Sequence, residues 1–189
     1  MITDLASLSS IYLRSLEGVS SPLVNISPLR LVADQILEMA WAYQKDGEVF
    51  LRSDDQVNAL ASWCYGYGWL DAGSYLGLLS RTDPFSGFAG DIHHSYAERL
   101  KEKTFRYQRM LSAASAAVND APDASSPLCQ SCTIFREIIF RWQMNGDDYL
   151  MEGLCASALA SFSYGYGWLD SGVRSGIFQI IGDRHLFTA

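Results

Sequence analysis

Apolar residues recur every three or four positions along most of the chain, the spacing that lays them down one side of an α-helix. The first run carries Leu5, Leu8, Tyr12 and Leu16. A polar stretch from Gly18 to Ser27 separates it from a second run, which carries Leu29, Val32, Ile36, Ala40, Tyr43, Gly47 and Phe50. Ser27 and Pro28 mark the start of that second helix. A serine oxygen accepts from the free N–H groups of a first turn, and proline fits the first helical position, where no N–H is needed. A short turn, Ser53-Asp54-Asp55, leads into a third run in which small and aromatic residues replace the apolar stripe. Nowhere do apolar and polar residues alternate between turn signals, so the pattern predicts an all-α protein.

The same three runs return. Tyr65-Gly66-Tyr67-Gly68-Trp69-Leu70-Asp71 is repeated without change as Tyr164-Gly165-Tyr166-Gly167-Trp168-Leu169-Asp170, a shift of 99 residues. That shift also carries Ser27-Pro28-Leu29 onto Ser126-Pro127-Leu128, Gln44 onto Gln143 and Gly47 onto Gly146. Leu128, Phe135, Ile139, Trp142, Gly146 and Tyr149 repeat the second helix, and Leu100, Phe105, Leu111 and Val118 the first. Internal repeats of this length mark duplicated supersecondary units. The expected architecture is a helical bundle of two three-helix units related by a pseudo-twofold, 1–81 and 98–189, joined by a turn-rich linker, 82–97. The tail from Gly182 to Ala189 reads as irregular.

On the third helix, Ala59, Ser62, Gly66, Gly73 and Gly77 share one face, as do Ala158, Ser161, Gly165, Gly172 and Gly176 in the second copy. A seam of small residues lets helices approach closely. Trp63 and Leu70 flank one edge of the seam and Trp69 and Leu76 the other. Gly68 and Cys64 fall on the far face, with Tyr67 and Asp71 on its shoulder. Gly47 lies on the buried stripe of the second helix, which suggests a backbone neighbour that comes close. Most of this pattern reads as packing. The exception is Asp71 with Asp170, each a carboxylate beside tyrosines and a tryptophan, and Arg174 stands one turn from Asp170. The candidate ligand-binding residues are therefore Tyr67, Trp69, Asp71, Tyr166, Trp168 and Asp170.

Charge and the remaining chemistry narrow the function further. With 14 basic and 21 acidic residues the net charge is −7, which repels phosphate backbones and argues against nucleic acid as the partner. No uncharged stretch reaches the ~20 apolar residues of a membrane span, and the N-terminus shows no leader pattern, so a cytoplasmic protein is expected. Cys129-Gln130-Ser131-Cys132 is a lone CxxC with no strand before it and no second ligand pair, which leaves plain thiols. His93-His94, near Asp91 and Glu98, has no counterpart in the second copy and is a weak metal candidate. The glycines of the repeated motif lie mid-helix, where their N–H groups are already bonded, so the motif is no phosphate loop. Asp71 and Asp170 would form an acid/base dyad only if they met across the pseudo-twofold. No catalytic set, metal or cofactor is expected.

Asn58-Ala59-Leu60-Ala61-Ser62, the motif from Tyr65 to Gly73, and Gly77 together resemble an archaeal family known as domain of unknown function 357. The second copy departs from that pattern with Ser157 for the asparagine and Ser171 for the alanine. The resemblance implies an archaeal, cytoplasmic, all-helical protein and no particular activity. Two units in one chain look like a fused dimer. The expected role is a non-enzymatic scaffold or protein-interaction module, with a protein partner or self-association. The alternative is a small-ligand binding module with its pocket at the repeated helices.

Overall fold

The computed structural model describes residues 1–80 and 83–188. Arg81 and Thr82, where the first unit was expected to end and the linker to begin, and Ala189, the end of the tail, lie outside the described residues. Among the described residues there are six α-helices: α1 (Leu5–Glu17), α2 (Pro28–Arg52), α3 (Gln56–Tyr75), α4 (Ala97–Ala116), α5 (Cys129–Met151) and α6 (Cys155–Arg174). This is an all-α bundle, as the periodicity predicts.

The local signals explain most helix ends. Ser27 caps α2 by accepting from the Leu29 N–H, with Pro28 in the first position. The second copy keeps the same two bonds, Leu128 N–H to Ser126 Oγ and Cys129 N–H to the Ser126 carbonyl, but its regular helix, α5, begins two residues later than the alignment suggests. Asp54 and Gly153 hold the same left-handed backbone conformation in the turns before α3 and α6. Gly77 and Gly176 also have positive φ, just past the ends of α3 and α6. They terminate those helices and do not extend the small-residue seam, as glycine commonly does after a helix because it alone enters this region without a Cβ clash.

α3 and α6 form the centre. From Ala59 to Gly73 and from Ala156 to Gly172 every residue is buried, which is why neither helix shows a polar face in the sequence. α2 and α1 cover α3, and α5 and α4 cover α6. The seam glycines face these covering helices: Gly66 lies under Tyr12 and Tyr43, and Gly73 under Ile36 and Leu79. The closest backbone approach is on the face the sequence reading set aside. A Cβ on Gly68 would overlap the Tyr164 carbonyl oxygen and lie 2.8 Å from Gly167 Cα, and one on Gly167 would overlap the Tyr65 carbonyl. The two central helices thus cross backbone to backbone at Gly68 and Gly167, in antiparallel sense. Gly47 and Gly146 also find neighbours other than backbone. Each makes room for a ring, the Trp63 indole and the Phe162 phenyl.

Three segments depart from the expected all-helical connections. Val118–Asp120 and Phe178–Ile180 form a two-stranded antiparallel ladder, β1 and β2, with Asn119 opposite Gln179. The first copy keeps one rung of it at the equivalent place, the bridge between Ser20 and Ser80. Three residues are too few to show alternation. The linker is held rather than loose: Ile2 pairs with Phe88, and Phe85 and Phe88 are buried. The tail forms a 3-10 turn at Arg184–Leu186 and then returns to α6.

Candidate functional site

The antiparallel crossing puts each motif's tyrosine beside the other motif's aspartate. Tyr164 Oη donates to Asp71 Oδ2 at 2.7 Å, and Tyr65 Oη donates to Asp170 Oδ2. The exchange is reciprocal, so each carboxylate corner is built by both units. The rest of each corner follows the same symmetry. Tyr65 packs on Tyr43 with ring centroids 4.4 Å apart, and Tyr164 on Trp142 at 4.5 Å. Tyr67 packs on Tyr12 at 4.5 Å, and Tyr166 on Tyr107 at 6.5 Å. Asp71 and Asp170 stand on opposite sides of the crossing and bond tyrosines, not each other. The acid/base dyad is therefore not formed.

Each corner is completed by the chain that leaves its unit. Asp71 Oδ2 accepts from the Phe85 N–H at 2.8 Å. Asp170 Oδ2 accepts from Thr188 Oγ1 at 2.8 Å, while Tyr65 Oη and Thr188 Oγ1 are 2.7 Å apart. Tyr166 Oη donates to the Leu186 carbonyl. Asp170 has no exposed surface, and its Oδ1 has no hydrogen-bond partner among the described residues. Burial pushes its pKa up, opposed by the Tyr65 and Thr188 hydrogen bonds and by the charge of Arg174. Arg174 thus acts on Asp170 through its field, without the ion pair that the spacing suggested. Burial likewise pushes Tyr65 and Tyr166 up, and Tyr43 to about 12.

The Asp71 corner is open. A cleft of about 480 Å³ runs beside it, lined by Asp71, Ser74, Tyr75, Phe85, Trp142 and Trp168, with Asp83 and Arg141 also on its walls. Trp168 Nε1 and Ser74 Oγ are buried atoms without a hydrogen-bond partner among the described residues. A buried, unmet donor costs about 1–3 kcal/mol, and Trp69 Nε1 at the equivalent place in the other copy is unmet as well.

Of the six residues expected at a site, Asp71 and Trp168 line this cleft. Tyr67 turns to Tyr12, Ser15 and Phe85, and Trp69 is fully buried beside Tyr65. Tyr166 and Asp170 belong to the covered corner. Sequence reasoning missed Tyr65, Tyr164, Tyr43 and Trp142, and also Phe85, Ser74, Arg141 and Thr188. The motif tyrosines stood in plain view, and a buried phenylalanine in a turn-rich linker is itself a sign of an anchor.

Other candidates stay apart from this chemistry. All four cysteines are free, and burial pushes the Cys64 thiol well up, away from the reactive thiolate. Among the described residues no three His, Cys, Asp or Glu side chains are grouped to hold a metal, and no helix is long and apolar enough to cross a membrane. Asn58 bonds Asp55 and Lys103 at the start of α3, where burial lowers the Lys103 pKa to about 8.

The family model described as protein of unknown function, DUF357, matches residues 10–79 and again 106–178. The chain belongs to this family. Each DUF357 match contains one copy of the repeated motif, and hence one tyrosine and one aspartate of the exchanged pairs. No curated protein and no solved structure matches the chain.

Proposed function

We propose that this DUF357 chain is a non-catalytic small-ligand binding module whose site is the cleft beside Asp71. The observation that carries the reading is an aromatic cleft of about 480 Å³ lined by Tyr75, Phe85, Trp142, Tyr164 and Trp168, with Asp71, Asp83 and Arg141 among its polar residues. Small-molecule sites have this character: concave, largely apolar, several hundred Å³, with a few polar groups that converge. Among the described residues the cleft lies at the Asp71 corner, and Leu186 and Thr188 lie against the other.

Native mass spectrometry of gently purified protein tests the proposal. The expected result is a reproducible extra mass that Asp71→Ala or Tyr75→Ala removes; Tyr75 is half exposed at the mouth, so its loss leaves the core intact. A bare mass in every preparation would move the reading to a scaffold or protein-interaction module. Turnover that depends on Asp71 would overturn the non-catalytic part.

A further inference from the structure

The two central helices start from turns of the same shape but are capped differently. Asp55 stands before α3 and Leu154 before α6, with φ and ψ of −101° and 71° in one case and −86° and 65° in the other. Asp55 accepts from the Asn58 N–H at 3.1 Å and from the Asn58 side-chain amide. The 99-residue shift carries these two residues onto Leu154 and Ser157. Leucine has no side-chain acceptor, so α6 begins without a cap. The first N–H groups of a helix have no partner inside it. Those of Ala156 and Ser157 find no other acceptor among the described residues.

A cavity of about 340 Å³ lies where the cap is missing, and residues 154–157 of the first turn are part of its wall. Ser157, only 5% exposed, is one of the residues that line it. Its carbonyl accepts from Ser161 Oγ, but its own hydroxyl has no hydrogen-bond partner among the described residues. The equivalent position in the first copy is filled: Asn58 meets the Asp55 carboxylate, and Arg99 meets that carboxylate in turn.

The filled copy indicates what the empty one takes. Free N–H groups and the helix dipole both draw negative charge to such a terminus. The other walls are largely apolar, with Met1, Ile92 and Leu100 among them, and no described lysine or arginine lines the cavity. A dianion would lack a cation there, and the exposed Asp91 on the wall would repel it. A single carboxylate on a short aliphatic chain suits both the donors and the walls.

We infer that this cavity binds a short aliphatic monocarboxylate, its oxygens accepting from the Ser157 N–H and hydroxyl as those of Asp55 accept from Asn58, and its chain lying against Ile92 and Leu100. The site shares no lining residue with the cleft beside Asp71.

Titration of the ¹⁵N-labelled full chain with hexanoate, followed at the backbone amide signals, tests it. Hexanamide and inorganic phosphate are the comparison probes. The expected result is a saturable downfield shift of the Ser157 amide proton with hexanoate. Its Kd should be about tenfold or more below those of the other two, in keeping with charge-assisted hydrogen bonds. Leu154→Asn supplies an uncharged cap at a position already 44% exposed, so it competes for the same N–H groups without repelling an anion or disturbing the core. It should weaken hexanoate about tenfold or more, and Ser157→Ala about three- to tenfold. Phosphate or hexanamide binding as tightly as hexanoate would overturn the carboxylate assignment. Hexanoate binding that ignores Leu154→Asn, or no saturable shift at Ser157, would overturn the site itself.

Discussion

The Asp71 and Asp170 corners are built from the same seven-residue motif, yet one faces a cleft and the other has no exposed surface. The identical residues do the same work in both. Each tyrosine crosses to the other unit's aspartate, each tryptophan indole N–H lacks a partner among the described residues, and each glycine lets the central helices touch. The difference comes from residues outside the motif. After α3 the chain bonds Asp71 through Phe85 and leaves a space bounded by Asp83, Tyr75 and Trp142. After α6 it bonds Asp170 through Thr188, and Leu186 receives the Tyr166 hydroxyl. Duplication preserved a frame, and the connecting segments decided which copy of it stayed open.

The largest expected effect tests what the corners share. Gly68→Ala and Gly167→Ala each press a methyl group into a facing backbone carbonyl that cannot turn aside. Each should lower unfolding free energy by about 3 kcal/mol or more, the upper range for overpacking. Urea denaturation should find the two losses within about 0.5 kcal/mol of one another, as the pseudo-twofold requires. A mild effect at one glycine only would break the equivalence.

Next come the exchanged tyrosines, where the corners should part. Tyr65→Phe removes a donor from a carboxylate with no exposed surface and should cost about 2–3 kcal/mol, in the range for hydrogen bonds to charged groups. Tyr164→Phe leaves Asp71, which is better supplied, with the Phe85 N–H and a further partner, and should cost about 1 kcal/mol. Equal losses in urea denaturation would mean that the open corner is no better supplied than the closed one.

Much of this frame was legible in the sequence. The 3.6-residue period, Ser27-Pro28 and the 99-residue shift led to the helices and to their duplication. The crossing was not legible, because α3 and α6 are buried on every side. A helix without a polar face gives no sign of which glycine meets its partner, so Gly66 and Gly68 look alike until the neighbours are known. The six expected site residues were chosen around Asp71 and Asp170 within each motif. Since the bonds are exchanged between motifs, Tyr65 and Tyr164, the partners that mattered, were left out. Phe85 and Thr188 were beyond reach for a different reason. They belong to connecting segments whose course depends on tertiary contacts rather than on local periodicity.

Smaller effects follow from protonation. The raised pKa of Asp170 means that, as pH rises from the ordinary carboxylate value of 3.8, the unfolded chain gives up this proton before the folded one does. Stability from this group is full below that value and is lost as pH rises through the folded pKa. Asp170→Asn should remove that share of the decline in Tm as pH rises above 3.8, and an unchanged profile would contradict the burial of the charge. Tyr43, raised to about 12, gives the same sign at alkaline pH: its share of stability is present below 10.0 and lost by about 12. Tyr43→Trp copies the Trp142 of the other corner. It should flatten that part of the alkaline Tm profile.

The most direct measurement compares the twin tryptophans. Trp69 and Trp168 occupy equivalent positions, both with indole N–H groups that lack acceptors, and Trp168 alone of the two lines the cleft. Hydrogen–deuterium exchange of the two indole N–H groups, followed by NMR in one sample, reads the difference without any ligand. The account expects Trp168 to exchange on the order of 100-fold faster than Trp69, because Trp168 at the cleft needs only a local opening, whereas the fully buried Trp69 needs the core to open. Equal rates would mean that both corners are closed, and would remove the cleft as a place for a ligand.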